Sequence, residues 1–262
     1  MINTKINFCG VEFKNPIVTA SGTFGFGEEY DEYVSIDEYG GFGAKGLTRY
    51  PREGNKPPRI AETPSGMLNS VGLQNPGVEH FLNVELPNLR TKDTVVIANV
   101  AGANVEEYGE IATILDKSDV DMIEVNISCP NVKEGGVAFG VTCDGAAAVT
   151  RAVRRATSKP VMMKLSPNVT SIADIAKAVE AEGADAVSLI NTLLGMRIDL
   201  KTRRPILRNN VGGLSGPAVF PVAVRMVWQV ANAVNIPVCG MGGVEMRKAG
   251  VELLVDSCEL GV

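Results

Sequence analysis

Thr94-Val95-Val96-Ile97-Ala98-Asn99-Val100 is the stretch on which the fold turns. It is short, rich in β-branched residues and apolar at consecutive rather than alternate positions. That pattern suits a strand of a parallel sheet covered on both faces. Similar runs recur at residues 16–20, 43–47, 122–126, 161–165, 186–191 and 236–240. Helical patterns separate them. Ile172, Ile175, Ala176 and Val179 share one helical face, opened by the candidate caps Thr170 and Ser171. Val219, Val222, Ala223, Met226, Val227 and Val230 repeat that spacing. Strand–helix alternation implies either a barrel or an open doubly wound sheet. Seven strand candidates, with an eighth expected at 258–262, favour an α/β fold of the (β/α)8 TIM-barrel type. Residues 5–13 alternate apolar and polar around Cys9-Gly10, which predicts an N-terminal β-hairpin ahead of the barrel. Residues 48–93 and 192–217 are long connections, and long ordered loops in a barrel are usually functional. No linker or internal repeat divides the chain, so residues 1–262 are expected to form a single domain.

Composition narrows the function classes. The chain has 262 residues, 45% of them hydrophobic, enough for one large core. The net charge of −5, without a basic run, argues against nucleic acid and anionic membranes as partners. No apolar stretch approaches the ~18 residues of a membrane span. The start, Met1-Ile2-Asn3-Thr4-Lys5, lacks the apolar core of a signal peptide, so a cytoplasmic location is expected. The five cysteines, at 9, 129, 143, 239 and 258, contain no Cys-x-x-Cys and read as free thiols without a metal. The one histidine, His80, lies in the helical pattern 78–89 with no partner cluster. A histidine-based triad is therefore not expected.

In a barrel, the chemistry sits at the C-terminal ends of the strands. The polar residues there, in strand order, are Ser21, Lys45, Asn99, Asn126, Lys164 and Asn191, followed by Gly242-Gly243. One polar residue in an apolar strand can be a satisfied core group; six at the same end of successive strands point to a ligand. Amides that donate and accept, together with two ammonium groups, suit a planar heterocycle and an anion. Gly212-Gly213-Leu214-Ser215-Gly216-Pro217 and Gly240-Met241-Gly242-Gly243 each precede a helix, as phosphate-binding turns do. No Gly-x-Gly-x-x-Gly follows a strand, which argues against a Rossmann NAD site. Cys129, just beyond the run 122–126, is either an ordinary loop thiol or a base on a loop that closes over substrate.

Seven motifs carry a family resemblance: Thr19-Ala20-Ser21-Gly22-Thr23-Phe24-Gly25, Ala44-Lys45-Gly46-Leu47-Thr48, Met67-Leu68-Asn69-Ser70-Val71-Gly72-Leu73-Gln74-Asn75-Pro76-Gly77, Asn126-Ile127-Ser128-Cys129-Pro130-Asn131, Lys164-Leu165-Ser166-Pro167, Gly213-Leu214-Ser215-Gly216 and Gly240-Met241-Gly242-Gly243. Together they resemble the class 1 dihydroorotate dehydrogenases. Residues 132–140 after the cysteine look like the catalytic subunit of class 1B rather than the fumarate-using class 1A. The resemblance implies that Ser21, Lys45, Gly46, Asn99, Asn126, Lys164, Ile190, Gly216, Gly242 and Gly243 hold FMN. It implies that Lys45, Asn69, Ser70, Val71, Gly72, Leu73, Asn126, Asn131, Asn191 and Thr192 hold dihydroorotate. Cys129 matches the base, and Lys164 the cation that stabilises the reduced flavin. It further implies orotate as product, a place in UMP biosynthesis, and a homodimer of this chain. A partner subunit with FAD and a 2Fe–2S cluster, completing a heterotetramer, would pass electrons to NAD+. After Gly243 the family runs through strand 8 and a Gly-Thr pair, whereas residues 244–262 diverge. A C-terminally shortened barrel with incomplete strand 8 and closing helices is the resulting expectation. Other readings remain open: a class 1A-like fumarate-dependent enzyme, a dihydropyrimidine dehydrogenase relative, an FMN-free inactive remnant, and a Schiff-base aldolase using Lys164.

Overall fold

The computed structural model describes residues 3–30, 32–128, 139–245 and 250. The chain opens with the expected hairpin, β1 (Ile6–Phe8) antiparallel to β2 (Val11–Phe13). Cys9 and Gly10 both have positive φ, +53° and +82°, as a two-residue turn matched to the strand twist requires. The remaining strands are β3 (Val18–Thr19), β4 (Gly41–Gly43), β5 (Ile60–Thr63), β6 (Gly66–Asn69), β7 (Val95–Val100), β8 (Met122–Asn126) and β9 (Val161–Lys164). They continue as β10 (Ala186–Leu189), β11 (Leu193–Gly195), β12 (Ile198–Asp199), β13 (Arg204–Pro205), β14 (Gly212–Ser215) and β15 (Val238–Gly240).

Seven of them make one parallel sheet in the order β15-β10-β9-β8-β7-β4-β3. Each strand lies beside its predecessor, so the sheet winds in one direction. Its two edges, β3 and β15, face a common cavity, which makes the sheet a curled, incomplete (β/α)8 barrel. The segment 258–262, expected as strand 8, lies outside the described residues.

Helices cover the outer face. A helix over Val78–His80 (α1) and Leu86–Leu89 (α2) is joined by a π-helical turn, Phe81–Glu85. Pro87 has no N–H to give the ladder, and the Leu86 N–H just before it reaches Phe81 O. Next come α3 (Val105–Asp116), α4 (Cys143–Ala156), α5 (Ile172–Ala181) and α6 (Phe220–Ala231). Asn104, Thr142 and Ser171 cap α3, α4 and α5, their side-chain oxygens accepting from Glu107, Gly145 and Asp174 N–H. Ile172, Ile175, Ala176 and Val179 are the buried face of α5, as their spacing predicts. None of the described helices is long and apolar enough to cross a membrane.

The strands are two-faced. Val96, Ala98, Ile123, Val125, Val161, Met163, Val187 and Leu189 pack outward in the main core beneath the helices. Ile97, Met122, Met162 and Ala186 point the other way and meet Phe13 inside the barrel. The hairpin thus plugs the N-terminal end, with the Phe8 and Phe13 rings edge-on at 6.1 Å. Full burial of such side chains stabilises by about 1.5–3 kcal/mol each.

Three expectations are corrected. The strand placed at 43–47 is Gly41–Gly43, so Lys45 lies beyond the strand and only Leu47 still bridges Val100. The strand placed at 186–191 ends at Leu189, leaving Asn191 past its end. The helix expected directly after residues 212–217 begins as a 3-10 turn, Pro217–Val219, and turns α-helical only at Phe220. The two long connections are also not loops alone. They supply a four-stranded antiparallel sheet, β11-β14-β6-β5, in which Gly213 pairs with Asn69.

Candidate active site

One pleat step above the apolar floor, the inward side chains become polar. Asn99 follows Ile97 on β7, Glu124 follows Met122 on β8, Lys164 follows Met162 on β9 and Ser188 follows Ala186 on β10. All four are buried, at 0%, 2%, 4% and 0% exposure. Such groups need partners. Glu124 supplies them: Oε2 accepts from Asn99 Nδ2 at 2.6 Å and Oε1 from Ser188 Oγ at 2.7 Å. The Lys164 ammonium stands 3.7 Å from Glu124 Oε2 and donates to Ser21 Oγ at 3.2 Å. Cys239 of β15 borders this layer; burial pushes its thiol up to about 12, the Glu124 charge adds to the rise and Lys164 opposes it.

A second network lies nearer the strand ends. Asn126 Oδ1 accepts from Ser128 N–H at 3.1 Å and from Asn191 Nδ2 at 3.2 Å. Asn168 braces the next turn, donating to Thr192 O at 3.0 Å and accepting from Leu194 N–H at 2.9 Å.

A cavity of about 630 Å³ runs along the open side of the sheet, from Phe8, Phe13, Ile97 and Met162 at the floor up to the strand ends. Its walls include Ser21, Lys164, Ile190, Asn191, Thr192, Gly216, Gly242 and Gly243. Three of the six strand-end residues, Ser21, Lys164 and Asn191, therefore share one space with the glycine turns predicted from sequence. Lys45, Gly46, Asn99 and Asn126 stand beside it rather than in its wall. A side chain on Gly22 would meet Lys45 Nζ at 3.5 Å, and one on Gly46 would meet Asn99 Oδ1 at 2.9 Å. The run Asn69, Ser70, Val71, Gly72 and Leu73 lies further off. Asn69 reaches Gly213 O at 3.5 Å, and Leu73 packs toward Gly46. Gly72 and Leu73 hold positive φ of +79° and +56°. Cys129 and Asn131 lie outside the described residues; Ser128, which precedes them, is 3% exposed.

Three residues of the site escape a reading confined to strand ends: Glu124, Ser188 and Asn168. A charged residue inside Met122-Ile123-Glu124-Val125-Asn126, a run otherwise apolar, is the signal that finds the first.

The site suits a flavin nucleotide on two observations. Asn99 Oδ1 is buried and, among the described residues, has no hydrogen-bond partner, so it offers an acceptor to a ligand N–H or O–H. Gly216, Gly242 and Gly243 have φ of +109°, +118° and +75° and crowd together, so that a side chain at Gly243 would strike Gly216 O at 2.7 Å. Bare backbone at glycine turns lets N–H groups approach a phosphate, and Gly216 directly precedes the helical turn Pro217–Val219. Among the described residues no group of His, Cys, Asp or Glu could hold a metal.

Comparison with known proteins gives a consistent result. The dihydroorotate dehydrogenase family model matches residues 3–255. A protein of Alkaliphilus metalliredigens is 54% identical over 254 residues, covering 97% of this chain and 84% of its own. One of Bacteroides fragilis is 55% identical over 256 residues and one of Porphyromonas gingivalis 52% over 257, with the same coverages. Each is named dihydroorotate dehydrogenase B (NAD(+)), catalytic subunit.

Proposed function

The chain belongs to the dihydroorotate dehydrogenase family, and from that premise we propose that its barrel oxidises (S)-dihydroorotate to orotate with FMN, in UMP biosynthesis. The observation that carries this reading is the polar layer of Asn99, Glu124, Lys164 and Ser188, joined to Ser21 and set beside the cavity whose far wall holds Gly216, Gly242 and Gly243.

In this reading, Ser21, Lys45, Gly46, Asn99, Asn126, Lys164, Ile190, Gly216, Gly242 and Gly243 hold FMN. Lys45, Asn69, Ser70, Val71, Gly72, Leu73, Asn126, Asn131, Asn191 and Thr192 hold the pyrimidine. Bound FMN would supply the two-electron oxidant, taking the hydride from C6 of the substrate. Cys129 removes the C5 proton; an ordinary thiol, with pKa near 8.5, makes that step faster toward alkaline pH. Lys164 places a fixed positive charge where negative charge gathers. Asn126 and Asn191, already hydrogen-bonded to each other, offer a pre-positioned amide pair to the pyrimidine edge.

The relatives' name, NAD(+)-type catalytic subunit, supports a division of labour. A separate electron-transfer subunit with FAD and a 2Fe–2S cluster takes the electrons on to NAD+, and two copies of each make a cytoplasmic heterotetramer around a homodimer of this chain. Residues 1–262 act as one FMN-binding domain.

The test is anaerobic flavin reduction by dihydroorotate. Cys129→Ala is expected to slow it at least ~10²-fold while orotate binding stays nearly intact. An unchanged rate would remove Cys129 from the mechanism, and robust turnover with fumarate by this chain alone would overturn the NAD+-linked reading.

A further inference from the structure

The buried carboxylate of Glu124 has no role in the reaction as set out above, yet it ties together three neighbouring strands. It reaches Asn99 on β7, Lys164 on β9 and Ser188 on β10. The Glu124 and Lys164 side chains are 3% and 6% exposed. At that depth a single charge costs several kcal/mol to hold, and a pair costs much less. Nor is the Asn99 contact interchangeable. An ionised carboxylate only accepts, so the amide must turn Nδ2 toward it. Oδ1 then faces Gly46, buried and without a partner among the described residues. One carboxylate therefore fixes a cation and the orientation of an amide.

We propose that Glu124 is a positioning residue of the dehydrogenase: the counter-charge that keeps the Lys164 ammonium charged in the cofactor site, and the acceptor that turns Asn99 so that Oδ1 is available to the cofactor. The proposal rests on the flavin reading above. In this proposal Glu124 acts through Lys164 and Asn99, the two site residues its carboxylate holds. Among the described residues, the Cys239 thiol of β15 faces the pair, and Lys45 Nζ lies near Gly22, next to Ser21.

The test is FMN binding to the flavin-stripped full-length chain, followed by flavin fluorescence from about pH 6 to about pH 9. In E124Q the lone buried ammonium gives up its proton more readily as pH rises. The ratio of the variant's Kd to the native Kd should therefore grow at least ~10-fold across that range. E124D, which keeps the charge, should weaken binding by a ratio that stays constant with pH. A constant ratio for E124Q, or identical profiles for E124Q and E124D, would overturn the proposal, because a merely structural role lowers stability without adding pH dependence.

A second arm needs no flavin. E124Q/K164M removes both buried charges, whereas K164M alone strands the carboxylate, so the double variant should melt at least as high as K164M. A lower Tm for the double variant would overturn the pairing. Native protein that binds no FMN would defeat the flavin reading, and the melting comparison would still decide the pairing.

Discussion

The floor of the barrel and the layer above it are built by the same four strands, one pleat apart. Ile97 and Asn99, Met122 and Glu124, Met162 and Lys164, Ala186 and Ser188 share the inward face at a spacing of two residues, or roughly 6.6 Å along the strand. Below, the side chains are apolar and pack against Phe13 from the hairpin, forming the apolar floor of the cavity. Above, each polar side chain is committed to another, except for Asn99 Oδ1. The floor is held by packing and has nothing to offer a ligand; the upper layer is held by hydrogen bonds and keeps one acceptor in reserve. Stability and binding are thus assigned to adjacent layers of one sheet.

The sharpest way to break that division is to move a charge down one layer. Met162→Lys puts an ammonium into the floor with no carboxylate beside it, and is expected to cost at least ~5 kcal/mol. The chain should fail to fold, or melt ~10 °C or more below native. A native-like melting curve would show that the floor is not dry.

A smaller effect separates the layers. Phe13→Ala empties the plug and should cost about 3–4 kcal/mol, measured by denaturant unfolding, while FMN affinity stays essentially native. If affinity falls in step with stability, the two layers are not independent.

The least of the three lies outside both layers. Asp116, at the end of α3, accepts from Ser158 N–H at 2.7 Å and from Thr157 Oγ1 at 2.8 Å, tying down the turn that leads into β9. The Ser158 N–H, then the Thr157 hydroxyl, hold its carboxyl below the usual aspartate range. A depressed carboxyl contributes stability above its unfolded value, and that contribution is lost as pH falls through the folded value. Asp116→Asn should therefore lower Tm slightly near neutrality, and the gap to native should close in acid. A gap that widens in acid would reverse the assignment.

Much of this was legible in the sequence because it is local. Consecutive apolar residues in 94–100 announced a strand covered on both faces, and the spacing of Ile172, Ile175, Ala176 and Val179 announced the buried side of α5. The strand-end residues Ser21, Lys164 and Asn191 were visible as polar interruptions, and they share a cavity. Glu124 and Ser188 lie mid-strand, one pleat step inside the tips of their runs, so the strand ends alone do not mark them. The second strand was misplaced for a packing reason. Gly41 and Gly43 look like turn residues, but a side chain at Gly41 would strike the Phe13 ring at 2.7 Å and one at Gly43 would strike Thr19 O at 2.6 Å. Their partners are remote in sequence, so nothing local marks them as strand. The pairing of β6 with β14 was hidden in the same way, since Asn69 and Gly213 are 144 residues apart.

That pairing has a consequence for how such a gene can change. Strands β6 and β14 are two halves of one clasp, held in antiparallel register through Met67–Ser215, Leu68–Leu214 and Asn69–Gly213. Losing a single residue from either half would swap the faces of that strand and turn Leu68 outward. The two segments are therefore inherited as a matched set: a lengthening of one survives only with a compensating change in the other, and a hybrid that takes each from a different parent must keep the count on both sides.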